Sequence, residues 1–246
     1  MAVLKTGIQL YAIRSLCAEN LEKGLKTVSE IGYEGVEFAG FFGHSAEEVA
    51  GWLKKYHLEA MSAHVPATEI IDHAEATIAY HKTIGNHRIV CPFLDMKTRA
   101  DVEDFADRLK AVAPKYHENG MKLYYHNHAH EFVKDGGEYL IDILADLAGK
   151  QILSLEFDVF WVYRGGEDPV AYMKKYADRM DIFHAKDGTM EAGTIAGEGN
   201  VPLPAVFETA KALGMTWAIV ESEASEEREA QVEAARKDYA YIRTLV

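Results

Sequence analysis

The stretch LYYHNHAHEF, residues 123 to 132, brings His126, His128, His130 and Glu131 together directly behind an apolar lead-in. Imidazoles and carboxylates hold transition metals and move protons near neutral pH, so the stretch reads as a metal site, an acid/base site or a polar surface loop. Similar groups recur at the ends of other apolar runs: Glu37 in GVEFA, Ser62 and His64 in LEAMSAH, Glu156 and Asp158 in ILSLEFD, His184 and Lys186 in DIFHAKD, and Glu221 and Glu223 in WAIVESE. If these runs are strands, alternate residues face opposite ways, and the ionisable ones share a face opposite an apolar set. Burying that many polar groups is costly unless they bond one another, a ligand or a metal.

His126, Asp158, His184 and Glu221 together offer two imidazoles and two carboxylates from four strands. A mixed nitrogen and oxygen set of this kind suits a divalent ion such as Mn²⁺, Zn²⁺, Co²⁺ or Fe²⁺ better than Ca²⁺, with Mg²⁺ a further alternative. The chemistry that fits is proton abstraction next to a carbonyl, with the cation stabilising the enediolate. Glu221 is then ligand and base, His126 or His128 is the second acid/base, and Glu156 is held in reserve. Glu37, His64 and Lys186 are candidates to bind substrate hydroxyls, Glu37 having a loop-anchoring role as its alternative. Trp161 offers an apolar wall for a sugar ring. His130 and Glu131 belong to a covering loop, and His44, His57, His73, His81, His87 and His117 read as solvated. The loop GEGNVP, 197 to 202, is either a phosphate-binding row of backbone N–H groups or a plain turn.

The elements that must position these groups can be counted. Eight strand-like runs occupy 5 to 10, 35 to 39, 58 to 64, 87 to 93, 122 to 128, 152 to 158, 181 to 187 and 217 to 223. Between them lie helix signals: Leu21, Leu25 and Val28; a capping box of Ser45 and Glu48; Val102, Phe105, Leu109 and Val112 before Gly120; Leu140, Leu144 and Leu147 before Gly149; Asp168 and Pro169 as N-cap and first turn; and Phe207, Ala210 and Leu213 before Gly214. The run from 67 to 85 supplies one more helix, and the acidic stretch from Ser225 to Ile242 the last. Strand and helix alternating eight times without a linker predict a single (β/α)₈ TIM barrel over residues 1 to 246. An open doubly wound sheet is the rival, but no GxGxxG follows the first strand.

A chain of 246 residues can bury a full core without staples, and Cys17 and Cys91 carry no metal or disulfide spacing. The net charge of −13 argues against a nucleic-acid partner. With no leader pattern and no long apolar run, a cytoplasmic protein with no membrane partner is expected. Trp52, Phe41 and Phe42 are candidates for a homo-oligomer contact, in a dimer or tetramer.

The fragments GIQLYAIR, GYEGVEFAG, SAH, YHNHAHEF, FDVFWV, HAKD, GEG and VES, in this order, resemble the xylose-isomerase-like (β/α)₈ superfamily of sugar isomerases and epimerases. Within it they are most similar to the bacterial group labelled sugar phosphate isomerase/epimerase. The resemblance implies a divalent metal, often manganese, held at the ends of strands five to eight, with Asp158, His184 and Glu221 at three of the ligand positions. At the fourth, epimerases usually carry a glutamate that is also one of two carboxylate bases. Here it is His126, and a histidine cluster at that point is similar to the inosose dehydratases of the superfamily. A metal-dependent sugar or sugar phosphate isomerase/epimerase is therefore the leading expectation. A dehydratase or lyase on a keto-sugar or inosose is the alternative, followed by a non-catalytic sugar-binding barrel. The substrate side is a small carbohydrate; few basic residues near the strand ends favour an unphosphorylated one.

Overall fold

The computed structural model describes residues 4–223 and 225–246. Eight strands, β1 (Lys5–Gln9), β2 (Gly35–Phe38), β3 (Glu59–His64), β4 (Arg88–Cys91), β5 (Lys122–His126), β6 (Leu153–Asp158), β7 (Ile182–His184) and β8 (Trp217–Val220), form a closed parallel barrel. β1 closes it by pairing with both β2 and β8. Each strand falls within a run expected from the sequence, and the chain is one TIM-barrel domain.

The alternation of the strands divides the core in two. Val36, Phe38, Ile89, Leu123, Leu155, Phe157 and Phe183 join the helices in the outer apolar layer. Met61, Val90, Tyr124, Ile182, Trp217 and Ile219 form a separate cluster, the plug inside the barrel. Below the plug, Arg88 Nη2 lies 2.6 Å from Asp181 Oδ2 and the Tyr124 hydroxyl donates to Asp181 Oδ1 at 2.6 Å, tying β4, β5 and the entry to β7. Above it the polar ends of the strands face one another. The pairing of β2 with β3 skips Met61, so that Val36 faces Ala60 and Glu37 faces Ser62. This bulge turns Met61 into the plug while His64 remains at the mouth.

The plug leaves no room on β2 for a side chain at Gly35. A Cβ there would sit 2.8 Å from Trp217 Cη2 and 3.0 Å from the Glu59 carbonyl oxygen, a ring and a backbone atom that cannot swing aside. Gly7 meets chiefly the flexible end of Met61, at 2.3 Å, with the Gly35 carbonyl oxygen farther off at 3.2 Å. Gly35→Ala should therefore lose about 2–3 kcal/mol in thermal or denaturant unfolding, and Gly7→Ala distinctly less. Equal losses would mean that the two sites do not differ as the geometry requires.

The helices follow their sequence signals with informative exceptions. Ser45 and Glu48 form the expected reciprocal cap on Ala46–Tyr56, and Asp168 caps Pro169–Lys175 through Val170 N. The stretch expected as one helix over 67–85 is two, Ala67–Asp72 and Ala74–Thr83, broken at His73. The last helix begins at Arg228 rather than Ser225, because the Ser225 hydroxyl accepts from Glu227 N and closes a local turn. Short helices at Arg14–Glu19 and Val159–Arg164 had no recognised signal. Among the described residues no helix is long and apolar enough to cross a membrane.

Candidate metal centre and cavity

Each functional side chain is placed by something the strands do at their carboxyl ends. β5 ends at His126, so strand alternation no longer governs His128. The turn is instead set by Glu131, fully buried, which accepts from the Tyr125 hydroxyl at 2.7 Å and from His128 N at 2.8 Å. Asn127 Oδ1 accepts from Asp158 N at 3.1 Å and so fixes the end of β6 beside β5. Asp158 then caps the helix Val159–Arg164, its Oδ1 accepting from Phe160 N at 2.9 Å and Trp161 N at 3.1 Å. After β7, Asp187 accepts four backbone N–H bonds, from Gly188, Gly197, Gly199 and Val201, at 2.8 to 3.1 Å.

That last arrangement corrects one reading of GEGNVP. The backbone N–H groups of Gly197, Gly199 and Val201 are turned onto an internal carboxylate, so they do not form a phosphate cradle. Asp187 was missed from the sequence, and the same loop is held from the other side by Asp238, whose Oδ1 accepts from Ala196 N at 2.7 Å. Burial raises the Asp238 carboxyl from 3.8 to about 7. Because the folded value lies above the unfolded one, Asp238 supports the fold fully below about pH 4, and that support is lost as pH rises through about 7. Asp238→Asn keeps the acceptor and removes the titration. It should stabilise the protein at pH 8 by about 1–3 kcal/mol, a gain that vanishes toward pH 4. A pH-independent difference in melting temperature would refute this account.

His184 lies at the centre of the buried cluster. Its Nε2 is 2.7 Å from Glu37 Oε1 and its Nδ1 is 2.8 Å from Glu221 Oε2. Glu37 Oε1 also accepts from Gln9 Nε2 at 2.7 Å and lies 3.1 Å from His64 Nε2. Glu156 Oε2 is 3.2 Å from His64 Nε2, 3.4 Å from His184 Nε2 and 3.5 Å from His126 Nδ1. The His64 and His184 rings stack within 5° of parallel. Lys186, 1% exposed, is bound to Glu223 Oε1 at 2.5 Å, lies 3.8 Å from Glu221 Oε1, and has the Trp161 ring 4.9 Å from its Nζ.

Burial alone would neutralise all of these groups. For some, close opposite charges override it: Glu37 and Glu221 are held below the usual carboxylate range by His64, His184 and Lys186, His184 is held well above its usual value by Glu156 and Glu37, and His64 is lifted to about 9 by Glu37 and Glu156. For others burial wins. Glu156, also facing Glu37, rises to about 8 and Asp158 to about 7, while His128 falls to about 4 and His126 falls well below its usual value.

The expected quartet meets the requirements of a divalent cation. His126, Asp158, His184 and Glu221 each offer one ligand atom, and these atoms all lie within 4.8 Å of one another. Two of the four residues carry buried atoms with no hydrogen-bond partner among the described residues, His126 Nδ1 and Asp158 Oδ2. Orphaned acceptors in a sealed site are costly, and a cation satisfies both. Two nitrogens and two carboxylates suit zinc, manganese, cobalt or iron. His64, His126, Glu156 and His184 form a second set within the same distance, which shares His126 and His184 with the first.

Above the quartet opens a cavity of about 630 Å³, lined by Tyr11, His64, Pro66, Phe93, His126, His128, Trp161, Glu221 and Glu223 among others. Glu37, Glu156 and Lys186 lie outside that lining and are sealed beneath it. Glu37 and Lys186, expected as substrate contacts, are charge partners of cavity residues in this structure, with Glu37 bonded to His184, His64 and Gln9. Glu156 likewise reaches the cavity only through His64 and His126. His81, expected in solvent, is 2% exposed and lies 3.0 Å from Asn86 Nδ2. Trp52 is half-buried, edge-on to His44 at 4.8 Å, while Phe42 is exposed.

The family model for the xylose isomerase-like TIM barrel matches residues 25–245. An inosose dehydratase from Mesomycoplasma hyopneumoniae strain 7448 is 24% identical over 92% of this chain and 89% of its own length. A sugar phosphate isomerase/epimerase from Parabacteroides distasonis superposes with a TM-score of 0.85 at 21% identity, covering 98% of this chain and 94% of the other. The IolI protein with a bound zinc atom superposes at 0.77 with 17% identity, covering 99% and 98%.

Proposed function

The chain belongs to the xylose isomerase-like TIM barrel family, and from that premise we propose that it is a divalent-metal-dependent dehydratase acting on an unphosphorylated keto-sugar or keto-polyol. The observation that carries this reading is the asymmetry of the cavity. Its carboxylates, Glu221 and Glu223, follow β8, whereas its imidazoles, His64, His126 and His128, come from β3, β5 and the turn after β5. One carboxylate base facing imidazoles suits removal of the proton next to a carbonyl on one side and protonation of a departing hydroxyl on the other. The inosose dehydratases among the relatives support the same outcome.

His126, Asp158, His184 and Glu221 would hold the cation, which supplies a Lewis acid that lowers the cost of negative charge on a substrate oxygen. Glu221 takes the proton from carbon. His64 protonates the leaving hydroxyl: it lines the cavity and is braced by Glu37 at 3.1 Å and Glu156 at 3.2 Å, which favours a proton on its ring. His64 thereby takes the acid role that parity had suggested for His126 or His128. Trp161 and Phe93 form the apolar wall. Among the described residues no lysine or arginine lines the cavity, and the β7 loop has turned the N–H groups of Gly197 and Gly199 onto Asp187, which supports a substrate without phosphate.

Isomerisation or epimerisation is the second reading, favoured by Glu156 at 3.5 Å from His126 Nδ1, which backs an imidazole facing Glu221 with a carboxylate. Incubating manganese- or zinc-loaded protein with inososes and ketoses in deuterated water, followed by NMR, separates the two. Loss of water to an unsaturated or deoxy-keto product supports dehydration. Deuterium at carbon with every hydroxyl retained supports epimerisation, and tight binding without either would leave a sugar-binding barrel.

A further inference from the structure

We propose that the turn after β5 carries a second divalent-cation site, built from His128, His130 and Glu131, at the edge of the cavity. It shares no ligand with the quartet below it and does not depend on the reaction proposed above. The three residues each offer one ligand atom, and these lie within 4.8 Å of one another.

The argument rests on hydrogen-bond accounting. His130 Nε2 lies 2.8 Å from the Leu94 carbonyl oxygen, which can only accept, so Nε2 carries the proton and donates. In the neutral ring Nδ1 is then a lone pair, and it faces Glu131 Oε2 at 3.4 Å. That oxygen already accepts from His128 N, and the other accepts from the Tyr125 hydroxyl. Two acceptors are thus apposed around a fully buried carboxyl group. His128 adds a further buried polar atom, its Nδ1, which has no partner among the described residues.

A proton, a water or a cation placed among these atoms would satisfy them. Two observations favour the cation. The imidazole Nε2 donating to a backbone carbonyl is the arrangement that orients a metal-ligating histidine and fixes its tautomer. Phe93 packs against both rings, its centroid 5.7 Å from that of His128 and 5.0 Å from that of His130, and gives the cluster an apolar neighbour. Two nitrogens and one carboxylate suit zinc or cobalt, and three protein ligands leave at least one position of a tetrahedral ion open. Since His128 lines the cavity, the class of ligand such a position would take is a hydroxyl or carboxylate oxygen of a molecule bound there.

The test is stoichiometry, not turnover. Chelator-stripped protein is titrated with Co²⁺ and with Zn²⁺, reading visible absorption and retained metal after gel filtration, for the parent, His130→Ala and Asp158→Asn. The parent should retain about two equivalents, each single variant about one and the double variant none. In His130→Ala the affinity for the second equivalent should fall at least about 100-fold. The His130 side chain is 31% exposed, so its removal spares the core, and melting curves verify the fold. Glu131→Gln, which keeps an acceptor for one of the two buried donors, should lose the same equivalent. A parent that retains one equivalent, unchanged in His130→Ala and Glu131→Gln, would overturn the proposal and leave a protonated His130–Glu131 pair. Loss of both equivalents in a folded His130→Ala would overturn it as a separate site. Retention of both in Asp158→Asn would strike the quartet instead.

Discussion

Asp158→Asn is expected to release the quartet's metal while leaving the fold nearly untouched. The two oxygens of Asp158 do different work. Oδ1 caps the short helix at Phe160 N and Trp161 N, and Oδ2 is buried without a partner. Asparagine keeps an oxygen for the cap but puts an NH₂ group where the cation needs a lone pair. Removing an outer-shell partner already costs about 10- to 100-fold in metal affinity, so losing a charged ligand should cost more, and activity should fall with it. Asp158→Ala adds the loss of the cap, about 1 kcal/mol. Metal analysis and melting curves of both variants therefore separate the two roles. If the asparagine protein retains metal at the parental level, the quartet is not the metal centre. If the alanine and asparagine proteins melt alike, the cap is not worth what the geometry assigns to it.

Much of this site was legible because the strands of a closed barrel keep strict alternation. Leu155 and Phe157 had to face helices, so Glu156 and Asp158 had to face inward, and β7 and β8 gave His184 and Glu221 by the same logic. The reasoning failed where the chain leaves the strand. β7 ends at His184, and two residues later parity no longer predicts direction: Lys186 passes under Trp161 and Asp187 turns back onto its own loop. Glu131 was read only as part of a covering loop for a similar reason, since a carboxylate beyond the end of a strand shows its role only when its partners, Tyr125 and the His128 backbone, are in place.

His81 is a different case, because a signal was present. Ala74, Thr77, Ile78 and His81 are spaced three, four and seven apart and are all buried on one face of Ala74–Thr83. Treating the whole run from 67 to 85 as one helix concealed that stripe. The break at His73 carries neither glycine nor proline, so nothing local announced it.

Glu221→Gln should abolish exchange of the substrate's carbon-bound hydrogen with solvent and preserve the fold. Glutamine matches glutamate in shape and keeps an oxygen to accept from His184 Nδ1, now 2.8 Å from Glu221 Oε2. What it loses is the negative charge, which serves twice: as one of the two carboxylates in the quartet and as the base facing the cavity. Glu223→Gln is the matched control. Its side chain is 39% exposed, it stands outside the quartet, and it binds Lys186, which would still lie 3.8 Å from Glu221. At saturating metal, exchange in deuterated water should fall by about 10²- to 10⁴-fold in Glu221→Gln, the range expected for removing a general base, and by far less in Glu223→Gln. Saturation matters because it separates the two losses: a defect that excess metal repairs belongs to the ligand role, and one that persists belongs to the base. Unchanged exchange in Glu221→Gln would remove Glu221 from the proton transfer and make the imidazole side, His64 foremost, the place to look for the base.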